Sequence, residues 1–134
     1  MTPLLTVSHL THYFKLSKHA WIKAVDDVSF TLQSGEILGI VGESGSGKST
    51  LARLIMNLYR PSGGEIVYQG VNTCDRRQYR QNRALLQKER QLIFQDSNSS
   101  LNQKMSVRKI LSEPLDIHRL QRSAASGRHI YSRT

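Results

Sequence analysis

The segment Gly42-Glu43-Ser44-Gly45-Ser46-Gly47-Lys48-Ser49 constrains this chain more than any other stretch. It satisfies the pattern G-x-x-x-x-G-K-[ST] at every fixed position, and its flanks give the pattern meaning. Residues 36–41, just before it, form a short, β-branched apolar run bounded by glycine, which predicts a strand buried on both faces. Residues 48–59, just after it, place Leu51, Leu54, Ile55 and Leu58 at i, i+3, i+4 and i+7. That spacing predicts a helix with one continuous apolar stripe. A strand, a glycine-rich loop and a helix in that order make a phosphate cradle. Gly42, Gly45 and Gly47 let the backbone curl until successive N–H groups point inward. The positive end of the new helix faces the same anion. Lys48 is placed to reach the β- and γ-phosphates, the Ser49 hydroxyl suits a Mg²⁺ ligand, and Thr50 stands near the α-phosphate. Glu43, Ser44 and Ser46 fill the rest of the binding loop. A glycine-rich turn with a chance lysine would explain the residues only if both flanks were ignored. By itself the loop does not choose among an ATPase, a GTPase and a small-molecule kinase.

Elsewhere the pattern is mixed α and β. Residues 4–7 and 24–32 predict strands, the second with Val28, Phe30 and Leu32 on one face. Residues 15–23 form a polar, basic connection that holds the only tryptophan, Trp21. Arg60-Pro61-Ser62-Gly63-Gly64 carries both kinds of helix breaker. Residues 65–68 then predict a brief strand, 78–91 an arginine-rich helix, and 92–94 another short strand. A helical pattern begins at Ser106, and Pro114 interrupts or ends it.

A length of 134 residues suits one domain. No apolar run approaches the roughly 18 residues of a membrane span. Residues 1–5 lack the basic and apolar regions of a signal peptide. A single cysteine, Cys74, excludes an internal disulfide or a cysteine metal cluster. His9, His12 and His19 have no acidic or cysteine partner at metal-ligand spacing, so they read as surface or packing residues. The net charge of +9 is high for this size. It is concentrated in Arg76, Arg77, Arg80, Arg83, Lys88 and Arg90, and again in Arg119, Arg122, Arg128 and Arg133, beyond the last acid at Asp116. Only Tyr79 interleaves with the first group, one aromatic where a nucleic-acid stacking platform requires several, which leaves a solvated helix face.

The flanks of the loop supply what the loop lacks. Residues 24–36 and 58–66 resemble the ATPase subunits of ABC transporters. Ile93-Phe94-Gln95-Asp96-Ser97-Asn98-Ser99-Ser100-Leu101-Asn102 resembles the Q-loop of the dipeptide, oligopeptide and nickel import group, and residues 110–115 fit that group too. The resemblance implies an α/β fold, a P-loop NTPase core with an antiparallel β part at the N-terminus. It implies ATP and Mg²⁺ as cofactors, with Lys48 and Gln95 in the catalytic set and Ser49 and Gln95 at the metal. It also implies membrane-spanning permease subunits and a second ATPase subunit as partners, and no nucleic acid. The implied location is peripheral, at the cytoplasmic face of the inner (plasma) membrane, or soluble in the cytoplasm when unassembled. Leu10-Thr11-His12-Tyr13-Phe14 resembles the segment whose aromatic ring stacks on adenine. Spacing from Leu10 favours Phe14, with Tyr13 second, and the competing reading is a core aromatic at a strand end.

Two departures bear on substrate. The group commonly has Asp-Pro after the glutamine and Asn-Pro-Arg after Ser-Leu, where this chain has Asp96-Ser97 and Asn102-Gln103-Lys104. Nickel therefore stands as an alternative to peptide, and a non-hydrolysing nucleotide-binding module as an alternative to both. The resemblance assigns residues 1–120 to the N-terminal part of an ABC ATP-binding domain and leaves 121–134 as an unassigned basic tail. A Leu-Ser-Gly-Gly-Gln signature, an apolar run ending in Asp-Glu and a switch histidine do not occur in the sequence. The expectation is a C-terminally truncated domain that alone hydrolyses ATP slowly or not at all, because positioning and charge stabilisation carry phosphoryl transfer.

Overall fold

Alternating β-branched and apolar residues near the N-terminus build two long strands, β1 (Leu5–Lys15) and β2 (Trp21–Leu32), which pair antiparallel. This is a computed structural model that describes residues 2–96 and 100–118 in two units, Met1–Leu92 and Ile93–Thr134. Expectations for residues 97–99 and 119–134, the basic tail included, fall outside the described residues. In the first unit β3 (Gly63–Tyr68) adds to β1 and β4 (Val71–Asn72) adds to β3, giving the antiparallel order β2-β1-β3-β4. The two-residue β4 lies below the length that a sequence pattern can signal.

Helix α1 (Lys48–Ile55) buries Leu51 and Leu54 against this sheet, in a core with Leu5, Val7, Leu10, Val25 and Ile66. Leu54, Leu10 and Ile66 lose all solvent contact. Burial of such side chains stabilises by about 1.5–3 kcal/mol each. The helix stops four residues earlier than its apolar stripe suggests. Asn57 takes a left-handed φ of 56°, its N–H bonds to Leu54 O, and the Leu58 N–H bonds to Arg53 O. This is a Schellman ending, which asparagine tolerates. Leu58 is consequently off the stripe and exposed.

β1 and β2 are irregular where the ladder shifts register between Val7 and Tyr13. His9 (φ 48°) and Asp27 (φ 52°) are left-handed, and their side chains meet at 2.7 Å. Gly64 lies against this bulge, where a Cβ would collide with the His9 carbonyl.

Helix α2 (Arg76–Glu89) begins two residues before the arginine-rich pattern, because Asp75 caps it by accepting from the Gln78 N–H at 2.8 Å. Asp75→Ala is expected to cost about 1 kcal/mol in urea denaturation. Arg76, Arg77, Arg80, Arg83 and Lys88 are exposed, as a solvated face requires. Arg90 is not. It is buried, donating to Ile55 O at 2.7 Å, Asn57 Oδ1 at 2.9 Å and Leu86 O at 3.2 Å. It thus satisfies the carbonyl ends of both helices, which is why a cation is tolerated there.

Two expected strands do not form. Residues 36–43 are not in a strand, and Ile37 and Val41 are 99% and 94% exposed. A strand buried on both faces needs hydrogen-bonded neighbours and layers on both sides; no strand among the described residues pairs with it. Residues 92–94 are likewise outside any strand, with Ile93 exposed. In the second unit α3 (Val107–Ile117) is capped by Ser106 and runs through Pro114 rather than ending there. The lost N–H removes one bond, but the His118 N–H still closes on Pro114 O at 3.1 Å.

Candidate functional site

The loop before α1 is held by its own lysine and by the sheet. Lys48 Nζ donates to Gly42 O at 2.7 Å, Glu43 O at 2.6 Å and Ser46 Oγ at 3.2 Å. The ammonium therefore sits within the curl of the loop, where anion oxygens would meet it. Gly45 (φ 83°) and Gly47 (φ 94°) take left-handed backbone. At Gly42 a Cβ would come within 2.7 Å of Ser46 Oγ, so glycine keeps the mouth of the loop clear. Gly47 caps α1 without a side-chain hydrogen bond, and no acid occupies the first turn. The first N–H groups of the helix, on Lys48, Ser49 and Thr50, thus have neither an intrahelical acceptor nor a side-chain cap. Such an end attracts an anion.

Gly47 also does something that its place in the motif does not announce. A Cβ there would overlap the Ala24 carbonyl of β2. The loop is pressed against the sheet at that point, and β2 forms one wall of a cavity of about 390 Å³ over the loop. Its lining includes Lys23, Asp26, Val28, Ile40, Ser46 and Lys48.

Tyr13 is joined to that wall. Its hydroxyl donates to Asp26 Oδ1 at 2.7 Å, Lys23 Nζ donates to Asp26 Oδ2 at 3.1 Å, and Lys23 lies 5.6 Å from the Tyr13 ring centroid. The Tyr13 hydrogen bond, then that of Lys23, holds the Asp26 carboxyl below its ordinary pKa, and the same carboxylate pushes the Tyr13 phenol up. Phe14 lies elsewhere, edge-on to His12 (centroids 4.6 Å apart) and to Tyr59 (5.7 Å). His12 is a packing residue stacked on Tyr59, and His9 pairs with Asp27. Among the described residues no cluster of three His, Cys, Asp or Glu could hold a metal. Glu43 and Ser44 are exposed on the loop, and Gln95 is exposed in a bend of the second unit. A second cavity, of about 310 Å³, lies beside Tyr59, Cys74 and Tyr79. Burial pushes the Cys74 thiol up, away from thiolate chemistry.

Sequence reasoning missed the Gly47–Ala24 contact, the Tyr13–Asp26–Lys23 group and the buried Arg90. Asp26 and Lys23 carried a usable signal, being opposite charges at i and i+3 beside an aromatic two residues from a strand end. The other two contacts depend on tertiary approach.

A glycine-rich loop on the N-terminus of an α1 that packs against a sheet defines the P-loop class. The ABC transporter family model matches residues 25–131, and the chain belongs to that family. It is 43% identical over 120 residues to the oligopeptide transport ATP-binding protein OppF of Bacillus subtilis, covering 90% of this chain and 39% of that protein. To OppF of Haemophilus influenzae it is 45% identical over 132 residues, covering 91% and 39% respectively. Among solved structures, the dimeric post-hydrolysis ATP-binding cassette MJ0796, bound to ADP and Pi, matches with a TM-score of 0.75 and 27% identity. That match covers 93% of this chain and 53% of the cassette. The chain thus spans about two fifths of the length of these curated relatives. No helix among the described residues is long and apolar enough to cross a membrane.

Proposed function

We propose that the chain is the ATP-binding part of an energy-coupling subunit of an ABC importer for oligopeptides. The observation that carries this is the uncapped N-terminus of α1 with the Lys48 ammonium drawn into the loop ahead of it. In this reading residues 42–50 cradle the triphosphate, Lys48 offsets its charge, Ser49 would hold Mg²⁺, and Gln95 is the Q-loop glutamine of the second unit. When bound, that ion supplies charge neutralisation at the phosphates. An aromatic ring of the Tyr13–Phe14 pair carries the adenine. The relatives' names support peptide as the cargo, against the nickel alternative raised by Ser97. Permease subunits and a second ATPase subunit are the partners, at the cytoplasmic face of the inner membrane.

Calorimetric titration of the full chain with ATP, ADP and inorganic triphosphate tests the reading. Binding of ATP and ADP is expected, and alanine at the residue of the Tyr13–Phe14 pair that carries the base should weaken both about tenfold while leaving triphosphate unchanged. No binding by a folded chain rejects the proposal; equal loss for all three ligands rejects the aromatic assignment.

A further inference from the structure

The hairpin joining β1 to β2 ends in a knob that is apolar on both of its faces and cationic on the Trp21 face. The ladder pairs Lys15 with Trp21 and Phe14 with Ile22. Alternation puts the first pair on one face and the second on the other. The turn is closed by the Leu16 and Ser17 N–H groups, which both donate to Ala20 O, at 2.9 and 3.3 Å. Leu16, Trp21 and Ile22 are 65%, 58% and 47% exposed at this turn. Lys15 and Lys18 flank the turn with no acid in residues 1–25, while Lys23 is paired with Asp26 at 3.1 Å. Lys15 Nζ lies 5.5 Å from the Trp21 ring centroid, so the aromatic and the ammonium are presented together.

A protein groove would cover one face of a hairpin and leave the other wet. Apolar residues on both faces of a closed turn suit a medium that surrounds it. Tryptophan beside lysine suits the headgroup level of a bilayer, where the ring is half-immersed and the ammonium reaches anionic lipid. We propose that this tip inserts Leu16, Trp21 and Ile22 into the headgroup region of an anionic phospholipid membrane, with Lys15 and Lys18 against the lipid charges. The inference does not depend on nucleotide binding.

Trp21 is the only tryptophan in the chain, so its emission reports the contact directly. The full chain is mixed with vesicles of phosphatidylcholine alone, or with phosphatidylglycerol added, with and without brominated acyl chains. A blue shift and bromine quenching are expected with the anionic vesicles, both reversed by salt. Replacing Lys15 and Lys18 by Gln is expected to weaken vesicle binding roughly 25-fold, at about fivefold per lysine. Leu16→Ser, with wild-type circular dichroism, is expected to reduce the quenching and serves if the double variant does not fold. The proposal is overturned by no vesicle binding, by binding that leaves Trp21 unshifted and unquenched, or by equal binding to neutral vesicles. It is also overturned if a single-stranded oligonucleotide binds the tip more tightly than the vesicles do.

Discussion

Gly47→Ala is expected to destabilise the first unit by more than about 3 kcal/mol and to remove ATP binding. Two terms add at this position. A left-handed φ of 94° is open to glycine, while an L-residue there bears roughly 1–2 kcal/mol of strain. The new methyl would also overlap the Ala24 carbonyl, so α1 or β2 has to move. The core between them, with Leu51, Leu54 and Val25, is close-packed and does not yield without loss. Gly45→Ala separates the two terms. Its φ is 83°, but no atom lies within 4 Å of its would-be Cβ. It is expected to show the strain alone. Urea denaturation of both variants makes the comparison. Equal losses would mean that the contact with β2 carries no weight.

Lys48→Ala is expected to lower ATP affinity about 100-fold while changing fold stability by less than about 1 kcal/mol. The side chain makes three hydrogen bonds, all to its own loop and all at the surface. Their loss leaves acceptors that water can reach, a small net cost. Against a triphosphate the same ammonium would make charge-assisted bonds worth about 1.5–3 kcal/mol apiece. Lys48→Arg should not restore affinity, because a planar fork cannot take the place of a compact ammonium inside the loop. A folded Lys48→Ala chain that binds ATP like the parent would place the nucleotide elsewhere.

The parts of the fold legible in the sequence were those whose cause is local. The loop has a fixed pattern with flanks of the right period, and β2 alternates at Val28, Phe30 and Leu32. Helix ends are less legible because they turn on single residues: Asn57 halts α1 and Asp75 starts α2. Arg90 reads in the sequence like its exposed neighbours, because nothing in the segment distinguishes a cation that finds Ile55 O from one that does not. The strand expected at residues 36–41 failed for another reason. The pattern states correctly that those residues need covering, but it does not say whether a cover is at hand.

That uncovered run has a colloidal consequence. Ile37-Leu38-Gly39-Ile40-Val41 has no charge and no proline, and Ile37 and Val41 are almost wholly in solvent. Such a segment is a template for pairing with its own kind, chain upon chain. Self-association along those five residues is the expected result, read as light scattering that rises with protein concentration while the circular dichroism stays unchanged.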